Sequence, residues 1–539
     1  MSFEELYDPC FRQIPLLMVG QSQSKENAEE KSNLDHIFST SHFVAFLLTS
    51  GARGLDTAKK LDHLVKKRNE KDKEKSQNSP ARLRRLFSIK KKKKKEIGEG
   101  TTVSVVVLDT EYGNNGSGSV TVPGWYICPT LTPSVKGRLL RSLGFEFPPS
   151  VIVVDTVSRS ITTTEGRRML HEDPAGASFP WWPPSAADLL KGPLLKRTDD
   201  GIVSDTDYSE LKAEVRGLLF GAHWCPPSRI WTKQLGPVYQ SLMDKGVPVE
   251  LIFCSSDRSA ENFNQYLEQM PWVAFPYDTA KTSALTRLYN VNGIPSLILI
   301  DKEGRVISRH GKSTLLGDPE GQCFPWGPQP FYELDEHSVS RLRDEPSLIL
   351  FTEGSPEDVQ FSLSVLDEIS RKLFEERLKI EEKRTEERDK RLLERENVEN
   401  GNSLSKSASN EECASMSSTD GASAVSPPDF LQIFYTGEDP ICDHILEKIL
   451  GLGDAELPLL CIIDGMAGQM TVCEHPDVSE QVLDEFVAAF RSGQLNYTPL
   501  PAASEGRTVG GIPTAAIEQA IAASPSQNSI GKEEQKIAI

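Results

Sequence analysis

The sequence predicts an α/β chain of three tandem strand–helix units, and three observations carry that reading. Short apolar runs alternate with helical stretches along most of the 539 residues, the pattern of sheets covered by helices on both faces. One set of motifs occurs twice at a nearly constant interval. A third unit follows with the same proline-led strands.

The duplicated set is the strongest of these. Asp173-Pro174, Gly176 and Phe179-Pro180-Trp181 have the internal spacing of Asp318-Pro319, Gly321 and Phe324-Pro325-Trp326. Pro149-Ser150-Val151-Ile152-Val153-Val154-Asp155 matches Pro295-Ser296-Leu297-Ile298-Leu299-Ile300-Asp301 at an offset of 146 residues, and Trp125 matches Trp272 at 147. Around the first helix, from Leu61 to Leu235, the offset is 174, so the first copy carries about 28 extra residues in its Lys/Arg-rich stretch.

In chain order, residues 1–40 read as a mixed, partly polar N-terminal segment. Residues 41–190 form the first unit, opening on the strand Phe43 to Leu48 and carrying the basic insertion at about 66–98. Residues 191–335 form the central unit. Residues 336–498 form the third, opening on Pro346-Ser347-Leu348-Ile349-Leu350-Phe351, with a charged helix and Ser-rich insertion at about 375–428. Residues 499–539 read as a disordered tail. Lys90 to Lys95 reads either as a nuclear localisation signal or a patch for an anionic surface, or as a solvated loop. Arg371 to Arg395 has no sustained apolar seam and is expected to be a solvated charged helix.

Composition narrows the function. A net charge of −18 argues against a general nucleic-acid binder. The nine cysteines contain no CxxC pair and no metal-ligand spacing, so no metal is expected and most thiols should be reduced. The first twenty residues lack a basic start and a long apolar core, and no run approaches transmembrane length. Cytoplasm and nucleus are the expected compartments, where thiols are kept reduced.

The candidate site is Leu218-Leu219-Phe220-Gly221-Ala222-His223-Trp224-Cys225-Pro226-Pro227-Ser228. It reads as strand, tight turn and helix, with Pro226 and Pro227 suited to a first helical turn. A cysteine delivered to a helix N-terminus meets free N–H groups and the helix dipole, which favour thiolate over thiol. Such a sulfur attacks a disulfide, and a second cysteine three residues on would resolve the mixed disulfide. Ser228 stands there instead. Its hydroxyl is expected to donate a hydrogen bond to the Cys225 sulfur, leaving an attacker that cannot release its product. Ile294 and Pro295, in Gly293-Ile294-Pro295, are expected to form the opposing wall, with a cis proline leaving backbone free to pair with an extended substrate. Cys254 closes the strand from Val249, and adjacent strands share the edge that carries the active turn. It reads either as an alternative resolving thiol or as a small core residue matching Leu108.

Trp224-Cys225-Pro226-Pro227, Ser256-Asp257-Arg258-Ser259-Ala260-Glu261-Asn262-Phe263, Met270-Pro271-Trp272, Pro276-Tyr277, Gly293-Ile294-Pro295 and Phe324-Pro325-Trp326 together resemble the nucleoredoxin family of the thioredoxin superfamily. The resemblance implies three tandem thioredoxin-like domains with a redox-active central one, Cys225 as attacking cysteine and Pro295 as the cis proline. It also implies protein-disulfide reductase activity and redox-sensitive restraint of Wnt signalling through a Dishevelled-type partner. The chain departs from the family at Ser228 and in lacking a cysteine in the Thr49–Gly54 turn. The expectation is therefore a monothiol protein-disulfide reductase acting on clients with disulfides or reactive cysteines. It binds no cofactor and depends on an external thiol such as glutathione or a thioredoxin system. The alternative is a redox-responsive adaptor that holds clients in the central groove without turnover.

Overall fold

The computed structural model describes residues 14–19, 31–50, 54–78, 102–109, 120–128, 131–145, 148–399 and 430–501, apart from 159, 183, 199, 200 and 292. Three sheets run in succession along the chain, each built around one central, largely buried strand.

In the first domain the strands are β1 (Pro15–Met18), β2 (Lys31–Asn33), β3 (Phe43–Thr49), β4 (Val103–Asp109), β5 (Tyr126–Ile127), β6 (Ser150–Asp155) and β7 (Ser160–Thr163). They lie in the order β2-β1-β5-β4-β3-β6-β7. The central β3 is parallel to β4 and antiparallel to β6. Both of its faces are covered. Ala45 and Leu47 pack under Leu61, Leu64 and Val65 of α1 (Leu55–Asn78), while Val44, Phe46 and Leu48 pack under Leu139, Leu140 and Leu143 of α2 (Pro133–Leu143). This double burial is why β3 reads as a continuous apolar run rather than an alternating one.

The central domain has β8 (Pro193–Thr198), β9 (Gly201–Asp207), β10 (Val215–Gly221), β11 (Val249–Ser255), β12 (Val273–Ala274), β13 (Ser296–Asp301) and β14 (Val306–Ser308). Their order, β9-β8-β12-β11-β10-β13-β14, repeats that of the first sheet. Helix α3 (Pro226–Asp244) covers one face through Leu235, Tyr239 and Leu242. Helix α4 (Ala260–Leu267) joins that face through Phe263 and Tyr266, and α5 (Thr279–Leu288) covers the other through Leu285. Gly217 in β10 sits in a crowded place, because a Cβ there would come within 2.4 Å of Leu251 Cδ2 and force that side chain to move.

The third domain contains β15 (Tyr332–Leu334), β16 (Ser347–Phe351), β17 (Gln432–Thr436), β18 (Leu459–Asp464), β19 (Gln469–Val472) and β20 (Thr498–Pro499), in the order β15-β17-β16-β18-β19-β20. Helices α6 (Pro356–Glu399) and α7 (Glu480–Arg491) cover one face through Val365, Leu366, Ile369, Leu483 and Phe486.

Two expected boundaries shift. The apolar patch at 14–19 lies inside the first domain, since β1 pairs with β5 and β2, so that domain reaches back into the segment 1–40. The third sheet takes β15 from before residue 336, pairing it with β17. In both cases a short strand completes a sheet edge far from its sequence neighbours, which no local pattern announces.

The charged stretch after Arg371 also differs from expectation at its start. Arg377 makes a bidentate pair with Glu345 at 2.6 and 3.1 Å, and its guanidinium lies 4.8 Å from the Phe430 ring centre. Arg491 of α7 pairs with Glu376. That end of the helix is therefore docked against its own domain, whereas Arg371 pairs only along the exposed surface with Asp367. Lys90 to Lys95, the Ser-rich segment and the chain after 501 lie outside the described residues.

The domains are tied together by polar contacts. Arg141 of α2 and Asp464 of β18 form an ion pair at 2.6 Å with both side chains 6% exposed, joining the first domain to the third. Gln469 donates to Ser134 Oγ at 2.7 Å beside it. Thr164 and Asn290, whose side chains meet at 2.8 Å, link the first domain to the central one. Among the described residues no helix is long and apolar enough to cross a membrane.

Candidate active site

Strand β10 ends at Gly221, and the chain turns through Ala222-His223-Trp224 before α3 begins at Pro226. Cys225 is the N-cap residue of α3, in extended conformation, and Pro226 and Pro227 occupy the first helical turn, where missing N–H groups cost nothing. The turn closes through Cys225 N–H donating to Ala222 O at 3.1 Å. Its next anchor lies in the loop just after the neighbouring strand β11: His223 N–H donates to Asp257 Oδ1 at 2.8 Å, and Trp224 Nε1 donates to Ser256 O at 3.1 Å. Asp257 is itself buried and fixed by Ser255 Oγ at 2.9 Å.

Cys225 is recessed, 7% exposed as a residue, and its neighbour Trp224 is 45% exposed. Ile294 precedes Pro295 through a cis peptide, and its carbonyl oxygen lies 3.8 Å from Cys225 Sγ. The structure thus brings Cys225, Trp224, Pro226, Pro227, Ile294 and Pro295 into one place across 69 residues of chain.

Ser228 is buried at 2% exposure in the first turn of α3. It does not make the expected hydrogen bond to the sulfur. Its Oγ turns back towards β10 and accepts the Ala222 N–H at 3.4 Å. The physical reason is the unpaired donor at the strand end, which a hydroxyl can reach from the helix side.

Cys254 lies apart from this cluster. Successive residues of a strand face opposite sides of the sheet. Phe253 faces α3 and the Cys225 side, whereas Cys254 packs with Phe220, Ile252, Val273 and Leu285 under α5. It is fully buried, burial pushes its thiol far above the ordinary range, and its Sγ faces Ile252 O at 3.8 Å. This is the packing role rather than the resolving role. It occupies the register position of Leu108, each pairing with the matching residue of the central strand, Phe220 or Leu48.

Sequence reasoning missed the supports. Thr232 meets Tyr266 Oη at 2.7 Å under the turn, with the His223 ring 5.7 Å from that of Tyr266. Arg229 donates to His223 O at 2.6 Å, and the Arg258 guanidinium lies 4.9 Å from the Trp224 ring centre. The only signal was Ser255-Ser256-Asp257-Arg258, small and charged residues directly after an apolar strand. Among the described residues no group of three or more His, Cys, Asp or Glu side chains is arranged to hold a metal ion.

A family model described as thioredoxin-like matches residues 213–306, and one described as the thioredoxin-like C-terminal domain matches 328–494. Nucleoredoxin from Danio rerio is 31% identical over 378 residues, covering 70% of this chain and 78% of that protein. The chain belongs to the nucleoredoxin family. Nucleoredoxin from Homo sapiens is 29% identical over 378 residues, covering 70% and 75%. Among solved structures, tryparedoxin I from Leishmania major is 31% identical over 27% of this chain and 98% of its own, with a TM-score of 0.24. Membership of the nucleoredoxin family makes this a thiol–disulfide redox protein of the thioredoxin superfamily, with tandem thioredoxin-like domains.

Proposed function

We propose that Cys225 is the attacking sulfur of a monothiol protein-disulfide reductase. The observation that carries this reading is the sulfur at the α3 N-cap facing the Ile294 carbonyl, with a serine in the next turn instead of a second thiol. An extended client segment lying along Ile294 would bring its disulfide to Cys225. Cys225 attacks one client sulfur, the client S–S bond breaks, and a mixed disulfide and a client thiol form. Release then falls to an external thiol such as glutathione, or to a thioredoxin system, because neither Ser228 nor the buried Cys254 offers a resolving sulfur.

The adaptor reading is favoured by one observation, the exposed Trp224 and Ile230 around a recessed sulfur, which could hold a client without turnover. Family membership supports action in cytoplasm and nucleus, and redox-sensitive restraint of Wnt signalling through a Dishevelled-type partner.

The test is to mix the reduced chain with a disulfide-bonded protein, quench by alkylation at intervals and map the sulfur bonded to Cys225. A mixed disulfide that persists until glutathione is added is the expected result. Release of the client from Cys225 without added thiol would remove the monothiol reading, and a Cys225 that never forms a mixed disulfide would remove the reductase altogether.

A further inference from the structure

The rim around Cys225 presents cationic groups although the chain as a whole carries −18. Two exposed guanidinium groups are held on the turn that presents the sulfur. The Arg229 guanidinium, one helical turn along α3, is fixed on the carbonyl of His223 at 2.6 Å, while its main-chain N–H donates to Cys225 O at 3.3 Å as part of the helix. Arg258, from the loop after β11, lies 4.9 Å from the ring centre of Trp224. Two carboxylates lie near them, and both are already held by protein donors. Asp257 is 3% exposed and its oxygens are engaged by His223 N–H and Ser255 Oγ. Glu261 is exposed and anionic at the start of α4, where backbone and Ser259 hold its carboxyl below the usual range, so Arg229 and Arg258 act on a ligand by direct contact rather than through a net local charge.

From this arrangement we infer a substrate class for the proposed monothiol site, on which the inference rests: mixed disulfides between a protein and a small thiol bearing carboxylates and a net negative charge, of which glutathione is the probe. Distance decides between the local and the global charge. At physiological ionic strength the Debye length is about 8 Å, so the remote negative charge of the chain is screened while Arg229 and Arg258 act at contact. A guanidinium held by a carbonyl or an aromatic face keeps donors free for a carboxylate. The recessed sulfur adds size selection, since a slim tripeptide chain enters beside Trp224 more readily than a folded surface.

The chemistry balances without a further oxidant. The Cys225 thiolate attacks the glutathionyl sulfur, that protein–glutathione S–S bond breaks, and the protein thiolate leaves and takes a proton from water. A second glutathione thiolate attacks the Cys225-bound glutathionyl sulfur, forming oxidised glutathione and returning Cys225 as thiolate. The sum is protein–S–SG plus glutathione giving protein thiol and oxidised glutathione. No second protein cysteine is needed, which fits Ser228.

The experiment uses the full chain and one cysteine peptide in three forms, disulfide-linked to glutathione (anionic), 2-mercaptoethanol (neutral) or cysteamine (cationic). Alkylation quench and mass spectrometry give the rate at which Cys225 acquires each small thiol. The expected order is anionic, then neutral, then cationic. The glutathionyl-to-cysteaminyl ratio should be about tenfold or more at low salt, the scale of two partly exposed charge pairs. That ratio should fall towards one in about 1 M salt, where the Debye length is about 3 Å, and again in Arg229→Gln/Arg258→Gln. The salt arm needs no variant, so a folding defect cannot mimic the result. Equal rates for all three adducts on the wild-type chain would overturn the charge selection and leave the monothiol reading standing. Failure of Cys225 to acquire any of them would overturn both.

Discussion

The first and central domains share nearly every device of the fold and differ where chemistry would occur. Both sheets have the same strand order, with the central strand parallel to one neighbour and antiparallel to the other. In both, an aspartate accepts a tryptophan indole N–H eight residues on: Asp173 from Trp181 at 3.0 Å and Asp318 from Trp326 at 2.8 Å. Those tryptophans have positive φ, 64° and 61°, following glycines that also have positive φ. The turn after the central strand is where the two part. After β10 it delivers Cys225 to a helix N-terminus, and after β3 the sequence from Thr49 to Gly54 holds no sulfur. A scaffold is thus kept whole while the proposed reactive group is confined to a few residues of one copy. What the first copy retains instead is a structural bond, the Arg141–Asp464 pair to the third domain.

Removing the one residue that separates the copies should have the largest effect. Cys225→Ser is expected to abolish mixed-disulfide formation completely while leaving the circular dichroism of the chain unchanged, measured by alkylation-quench mapping. Residual capture at the wild-type rate would move the reactive sulfur elsewhere. Restoring a second thiol is the converse. Ser228→Cys should let the mixed disulfide resolve without added thiol, shortening its lifetime by roughly a thousandfold or more, since the attack becomes intramolecular. A lifetime that still depends on glutathione would show that position 228 cannot reach the sulfur.

The structural role of the first domain is tested next. Arg141→Met strips a buried carboxylate of its ion pair and is expected to cost about 3 kcal/mol, seen as a lower thermal midpoint. Adding Asp464→Leu should recover much of that loss. If the double variant unfolds as early as the single one, the pair is not what joins the domains.

A smaller effect separates the two readings of Cys254. Cys254→Ser should leave mixed-disulfide release unchanged and cost about 1–3 kcal/mol for burying a hydroxyl, read from denaturant melts. A slower release at equal stability would return it to the mechanism.

The smallest expected effect concerns the shared aspartate. Burial raises the Asp173 carboxyl, but N–H groups of Ser178 and Ala177 and the Trp181 indole more than offset it, so the folded value lies below the ordinary one. A depressed carboxylate contributes stability above its unfolded value, about 3.9, and loses it as pH falls through the folded value. Asp173→Asn should therefore lower the melting midpoint at neutral pH, and the gap to wild type should close in acid below that range. A gap independent of pH would mean that the loss is one of packing.

The sequence by itself determined whatever depends on neighbours in the chain. Apolar runs such as Val215 to Gly221 are strands because both faces are buried, and Cys225 before two prolines is an N-cap because proline suits the first turn. The Gly293-Ile294-Pro295 motif and the family resemblance pointed to Ile294 and Pro295 as the wall opposite the sulfur. Only the tertiary structure decided which way groups face and what distant groups meet. Cys254 and Phe253 are adjacent letters on opposite faces of a sheet, so one residue of parity separates a core thiol from the active side. The direction of the Ser228 hydroxyl depends on an unpaired N–H at Ala222. Arg258 reaches Trp224 only because the loop after β11 returns beside the turn, and Arg141 meets Asp464 across 323 residues. Such pairings are set by three-dimensional packing and leave no periodic trace in the chain.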